Sequence, residues 1–124
     1  MPNPEKMLEA VHAYIAAFDA ADPGAVAALY AEHCTVEDPI GSPIHQGRAA
    51  VRAFYAESMK TGANLKLEGS IRIAGDYAAF AFSANLHFAG SAKRIDVIDT
   101  FKFNTENQVT EMRAFWGPTN MQGF

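Results

Sequence analysis

Apolar residues recur along this chain at two different periods. In residues 3–22, Met7, Val11, Tyr14 and Phe18 fall on one helical face, with Asn3 as N-cap and Pro4 as the first helical residue. A second helix is predicted in residues 22–33, capped by Asp22 ahead of Pro23, with Val26, Leu29 and Tyr30 on its apolar side. Residues 35–39, "TVEDP", alternate Val36 and Asp38 and stop at Pro39, which favours an extended Asp38. A third helix follows in residues 47–60, its inner side formed by Val51, Phe54, Tyr55 and Ser58.

From residue 65 the period becomes two. Four strand-like runs, 65–75, 77–90, 93–104 and 108–117, are separated by Gly75-Asp76, Gly90-Ser91 and "NTEN", the turn residues of a meander. Their inward sets are Leu65, Leu67, Ile71 and Ile73, then Phe80, Phe82, Leu86 and Phe88, then Ile95, Val97, Phe101 and Phe103, then Met112, Ala114 and Trp116. Helices first and hairpins afterwards predict an α+β fold, three N-terminal helices packed on a curved antiparallel sheet. Gly69 and Gly90 are natural bending points for a half-open cone with a ligand at its mouth.

Composition narrows the possibilities. The 124 residues suit one domain spanning 1–124 with room for a small internal cavity. Ten basic residues, scattered singly against fourteen acidic ones, form no stripe for nucleic acid or a membrane surface. No apolar run approaches the roughly 20 residues that span a bilayer. A single cysteine, Cys34, allows no intrachain disulfide, and the N-terminus does not read as a signal peptide, so a reducing cytoplasmic setting is expected. His12, His33, His45 and His87 share no metal-ligand spacing with one another or with Cys34, and no metal is expected. Phosphate loops and nucleophile elbows are missing from the sequence.

Two acids break the inward pattern. Asp99 shares its face with Val97 and Phe101, and Asp38 shares one with Val36. Tyr14, Tyr30 and Tyr55 are expected to bring phenols from three helices to the same interior. Burial disfavours the charged carboxylate, so a deep Asp99 stays protonated and, beside Tyr14, offers a second O–H donor to a developing oxyanion. Asp38, nearer the mouth and within reach of the Trp116 indole, would stay ionised and take a proton. The competing reading makes Asp99 an ion-pair partner of Arg52 or Arg113, Asp38 a turn starter and the tyrosines plain core. Phe54, Phe82, Val97, Phe101 and Met112 are the candidate lining of the pocket.

"TVEDPIGSP", "GRAAVRAFYAESMK", "VIDTFKFN" and "MRAFWG", with Tyr14 on the first helix, resemble the bacterial Δ5-3-ketosteroid isomerases of the nuclear-transport-factor-2-like superfold over nearly the whole chain. The resemblance implies a homodimeric cone that needs no cofactor and acts on a small hydrophobic steroid. It makes Asp38 the proton shuttle and Tyr14 and Asp99 the oxyanion-hole pair. Tyr55 matches the tyrosine that hydrogen-bonds the oxyanion tyrosine; Tyr30 and Trp116 occupy positions held by Tyr or Phe and by Trp or Phe. This family is itself a well-known example of a carboxylic acid held neutral at pH 7. The alternatives are another proton-transfer enzyme on the same cone, such as a polyketide cyclase or dehydratase, or a non-catalytic sterol carrier. A dehydratase would be expected to pair its acid with an inward His, whereas His87 points away from Leu86 and Phe88. Ile98 and Phe115 are the candidate dimer contacts on the outer sheet face.

Overall fold

The computed structural model describes residues 1–124 except Ala89 and the side chain of Phe88, so the expected inward placement of Phe88 lies outside the described residues. Helix α1 (Pro4–Asp19) starts as the caps require, with Asn3 Oδ1 accepting from the Glu5 and Lys6 amides at 2.8 and 3.3 Å. It buries Met7, Val11, Tyr14 and Phe18. Helix α2 (Pro23–Ala27) has only five residues, its first turn capped by Asp22.

Tyr30 does not belong to that helix, as its spacing suggested, but opens strand β1 (Tyr30–Glu37). Pairing with the sheet overrides the local pattern here. The Leu29 carbonyl accepts from the Val109 amide at 2.9 Å, Tyr30 registers with Val109, and Arg48 donates twice to the Tyr30 carbonyl. The three phenols therefore come from two helices and a strand.

Strand β2 (His45–Gln46) pairs with β1, and Gly47, at φ +88°, turns the chain into helix α3 (Arg48–Met59), which buries Val51, Tyr55 and Met59. The first strand-like run is two strands, β3 (Asn64–Leu67) and β4 (Arg72–Ala74), with Gly69 in the break between them instead of within a bend. Then come β5 (Tyr77–Phe88), β6 (Ser91–Phe103) and β7 (Val109–Phe115), a 3-10 turn (Pro118–Asn120), and β8 (Met121–Gln122). Gly90 lies between β5 and β6, so it too serves a connection and not a strand bend.

The sheet runs β2-β1-β7-β6-β5-β3, with β4 added on β5 and β8 on β6. It is the expected α+β cone, with one refinement: β1 and β7 pair in parallel, while the other pairs are antiparallel. That parallel pair carries residues 36 and 37 alongside 112 and 113, which brings Asp38 close to Trp116. Under the sheet lies an aromatic core. Phe101 meets Tyr14, Tyr30, Phe80 and Phe103 edge to face at centroid distances of 5.2, 6.2, 5.1 and 5.9 Å. Fully burying one such side chain is worth about 1.5–3 kcal/mol.

Candidate active site

Asp99 stands on β6 opposite Phe80 of β5 and Ala114 of β7, in the interior of the sheet. It is 1% exposed, and neither carboxyl oxygen has a hydrogen-bond partner among the described residues. The arginines of the competing reading are elsewhere. Arg113 is half-exposed beside Glu37 and Glu111, at 4.0 and 3.5 Å, and Arg52 is exposed next to Gly24. A charged carboxylate left this way loses its hydration without compensation. Burial accordingly pushes the Asp99 pKa well above the usual carboxylate range, the charge of Asp38 pushes the same way, and the Tyr14 hydroxyl opposes them. Both burial and the neighbouring charge favour the neutral form, which has an O–H to donate.

Tyr14 reaches the same place from the buried face of α1, its ring packed against Phe18, Tyr55, Phe80 and Phe101. Its pKa is also raised well above the ordinary phenol value, first by burial and then by Asp99, Tyr30 and Asp38, while the Tyr55 hydroxyl lowers it. Tyr55 and Tyr30 lie behind it, their hydroxyls 2.6 Å apart. A phenol in this setting is a donor, with a second phenol supporting its oxygen.

Asp38 follows the end of β1 and is half-buried. The Trp116 indole Nε1 donates to its Oδ1 at 2.8 Å. Burial raises the Asp38 pKa; the Trp116 hydrogen bond and His45 lower it. Burial thus raises both carboxyl groups, but Asp38 keeps an indole donor and a less buried position, and its rise is smaller than that of Asp99.

Tyr14, Asp38, Asp99 and Trp116 all line one cavity of about 220 Å³, together with Phe82 and Val97. Three expected lining residues lie elsewhere. Phe101 and Met112 are fully buried in the core, and Phe54 packs between His45 and Tyr55, at centroid distances of 4.5 and 5.2 Å. Alternation identifies which side chains face inward, but not which of those reach the cavity and which fill the floor beneath it. Phe18, Leu65 and Ile95, legible only as inward, are on the wall, as are Ser58 and Thr61. His45, which sequence spacing singled out for nothing, acts on Asp38 through the β1–β2 pairing, in which it registers with Val36.

A larger concavity, about 670 Å³, shares Phe82, Val97 and Trp116 but none of Tyr14, Asp38 and Asp99. Its charged residues Arg94, Asp96 and Glu68 pair with one another. Among the described residues, no three His, Cys, Asp or Glu side chains converge as metal ligands, and no helix is long and apolar enough to cross a membrane.

The structure is thus a conical α+β fold in which two aspartates and a buried phenol share one largely apolar cavity. The chain belongs to the SnoaL-like domain family, matched over residues 11–112, within the nuclear-transport-factor-2-like fold. It is 37% identical over 113 residues, 90% of either chain, to the steroid Delta-isomerase of Nocardioides simplex. It also superposes, with a TM-score of 0.89 and 26% identity over 98% of both chains, on the epoxide hydrolase/cyclase-like enzyme SalBIII, whose structure was described for its role in pyran ring formation in the polyether salinomycin.

The raised Asp99 pKa has a measurable sign. Above the unfolded value of about 3.9 the unfolded chain has lost a proton that the folded chain keeps, so stability falls as pH rises, by about 1.4 kcal/mol per unit, until the folded group titrates. Urea unfolding of wild type and Asp99→Asn at several pH values from about 5 to about 7 is expected to show a downward slope of this kind in wild type that the variant lacks. Parallel profiles would mean that Asp99 is ionised in the folded protein.

Proposed function

We propose that this protein is a Δ5-3-ketosteroid isomerase that works without a cofactor. The observation that carries the reading is the buried, unpartnered carboxyl of Asp99, which shares a cavity with Tyr14 and with the Asp38–Trp116 pair. A 3-oxo-Δ5-steroid enters with its carbonyl toward Tyr14 and Asp99. The Asp38 carboxylate takes a proton from C4, the electron pair moves into a dienolate, and charge develops on O3. Asp99 and Tyr14 donate hydrogen bonds to that oxygen, and these bonds strengthen as the charge grows in a site shielded from water. Asp38 then returns the proton at C6, leaving the double bond at C4–C5 and the acid ionised again. The Trp116 indole holds Asp38 in place and tempers the effect of burial on it.

The identity to the steroid Delta-isomerase favours this assignment over a cyclase, since SalBIII is less similar in sequence despite the close superposition. A dehydratase is disfavoured by the cavity wall, on which no histidine stands among the described residues; His87 is exposed. In the remaining reading, a sterol carrier, the same polar groups only orient a carbonyl.

The test is the absorbance change as the double bond of 5-androstene-3,17-dione moves into conjugation. Wild type is expected to convert it, with kcat reduced by a factor of about 10²–10⁴ in Asp38→Asn and about 10²–10³ in Asp99→Ala. Because the Asp38 pKa is raised, kcat/KM is expected to climb with pH through a value above the ordinary aspartate range of about 3.9. Tight steroid binding with no conversion by wild type would instead leave the carrier.

The reading also includes a homodimer. Ile98, Phe115 and Ile40, 49%, 46% and 44% exposed, line the outer concavity and would be covered by a second copy. Sedimentation at micromolar concentration is expected to give twice the chain mass, and a monomer there would contradict it.

A further inference from the structure

The cavity has direction. Asp99, Val97 and Ile95 take successive inward positions on β6 and all line it, so at roughly 3.3 Å per residue the wall extends about 13 Å from Asp99 to Ile95. Asp99 marks the end where the proton chemistry is proposed. At the other end Ile95 registers with Ala84 of β5, and Ala84 with Leu65 of β3. The chain reaches Leu65 from the end of α3 through Thr61 and Ala63, and all three of these residues line the cavity, with Thr61 held to the Ser58 carbonyl at the last turn of α3.

This part of the wall is apolar except for two hydroxyls, those of Ser58 and Thr61. Thr61 uses its proton internally, donating from Oγ1 to the Ser58 carbonyl at 2.8 Å. The Ser58 hydroxyl has no hydrogen-bond partner among the described residues, not even the carbonyl one turn back that a helical serine commonly takes. It lies one helical turn beyond Tyr55, on the same inner face, half-buried and lining the cavity. A free donor in an otherwise apolar wall discriminates by hydrogen bonding: a ligand with a matching oxygen gains a bond there, and one with hydrogen or alkyl in its place leaves the hydroxyl desolvated.

On the steroid reading above, we infer that Ser58 is a specificity-determining residue that donates a hydrogen bond to an oxygen at the ring-D end of the ligand, away from the reacting ring. The preferred substrates are then steroids oxygenated at carbon 17, in preference to those with only hydrogen there. Asp99 and Tyr14 hold the reacting oxygen and Ser58 holds the distal one, so the two contacts together fix the depth at which C4 and C6 face Asp38.

The experiment compares equilibrium dissociation constants of two conjugated ketones, 4-androstene-3,17-dione and 4-androsten-3-one, which differ only in the distal oxygen. Wild type is expected to bind the dione about five-fold more tightly, as one neutral hydrogen bond allows. The ratio is expected to fall to about one in Ser58→Ala and to return in Ser58→Thr, which keeps a hydroxyl. Reading a ratio within each variant cancels general losses of affinity. Equal affinities in wild type, or a ratio that Ser58→Ala leaves unchanged, would overturn the assignment of Ser58. Turnover is a separate measurement: both ketones bound in the expected ratio by a protein that converts no 5-ene substrate would refute the isomerase reading and leave Ser58 in place. Failure of both ketones to bind would refute both.

Discussion

Dehydration of one carboxyl group governs this structure. Asp99 is enclosed between two neighbouring strands with, among the described residues, no cation and no close hydrogen bond on either oxygen, and ionising it there would cost far more than in water. The inexpensive solution is to keep the proton. A neutral acid costs less to bury, presents a hydrogen-bond donor where a carboxylate would present only acceptors, and imposes no negative charge on a ligand oxygen nearby. Asp38 contributes to this state, since its charge raises the Asp99 pKa further.

The fold keeps Asp99 dry. Strand β6 is paired along most of its length, with β5 on one side and β7 and β8 on the other, so its backbone groups there are bonded within the sheet. Below it the rings of Phe80, Phe101 and Tyr14 pack edge to face. Tyr14 is part of this apolar floor and also carries the second donor, which ties the rigidity of the core to the placement of the phenol. The parallel β1–β7 pair adds the third element. It sets the end of β1 beside the end of β7, where the Ile40 amide donates to the Ala114 carbonyl at 2.9 Å and the Trp116 indole meets Asp38. Residues 38, 99 and 116 converge because two ladders share β7.

Much of this was legible in the amino-acid sequence, because period-two alternation reports the face a side chain takes. That was enough to place Asp99 among Val97, Phe101 and Phe103 and to separate it from outward Asp96. Helix caps at Asn3 and Asp22 were equally readable, since their signals are local. Tyr30 was misplaced on a helix for the opposite reason: its conformation is decided by pairing with Val109, 79 positions away by residue number (109 − 30). The same limit applies to the cavity wall. Phe101 and Met112 face inward as alternation predicts but end in the floor, whereas Ser58 and Thr61, at the end of α3 and just beyond it, line the cavity. Direction is local information, and depth depends on the assembled layers.

The central claim is that Asp99 carries its proton near neutral pH while Asp38 does not. Carbon-13 NMR of protein labelled at the aspartate carboxyl carbons, with Asp38→Asn and Asp99→Asn spectra for assignment, reports both groups at once. One protonated carboxyl signal is expected to persist at about pH 7, to be missing from Asp99→Asn, and to be distinct from an ionised Asp38 signal. An Asp99 signal already at the ionised position at that pH would contradict the account, since a carboxylate there could not donate to an oxyanion.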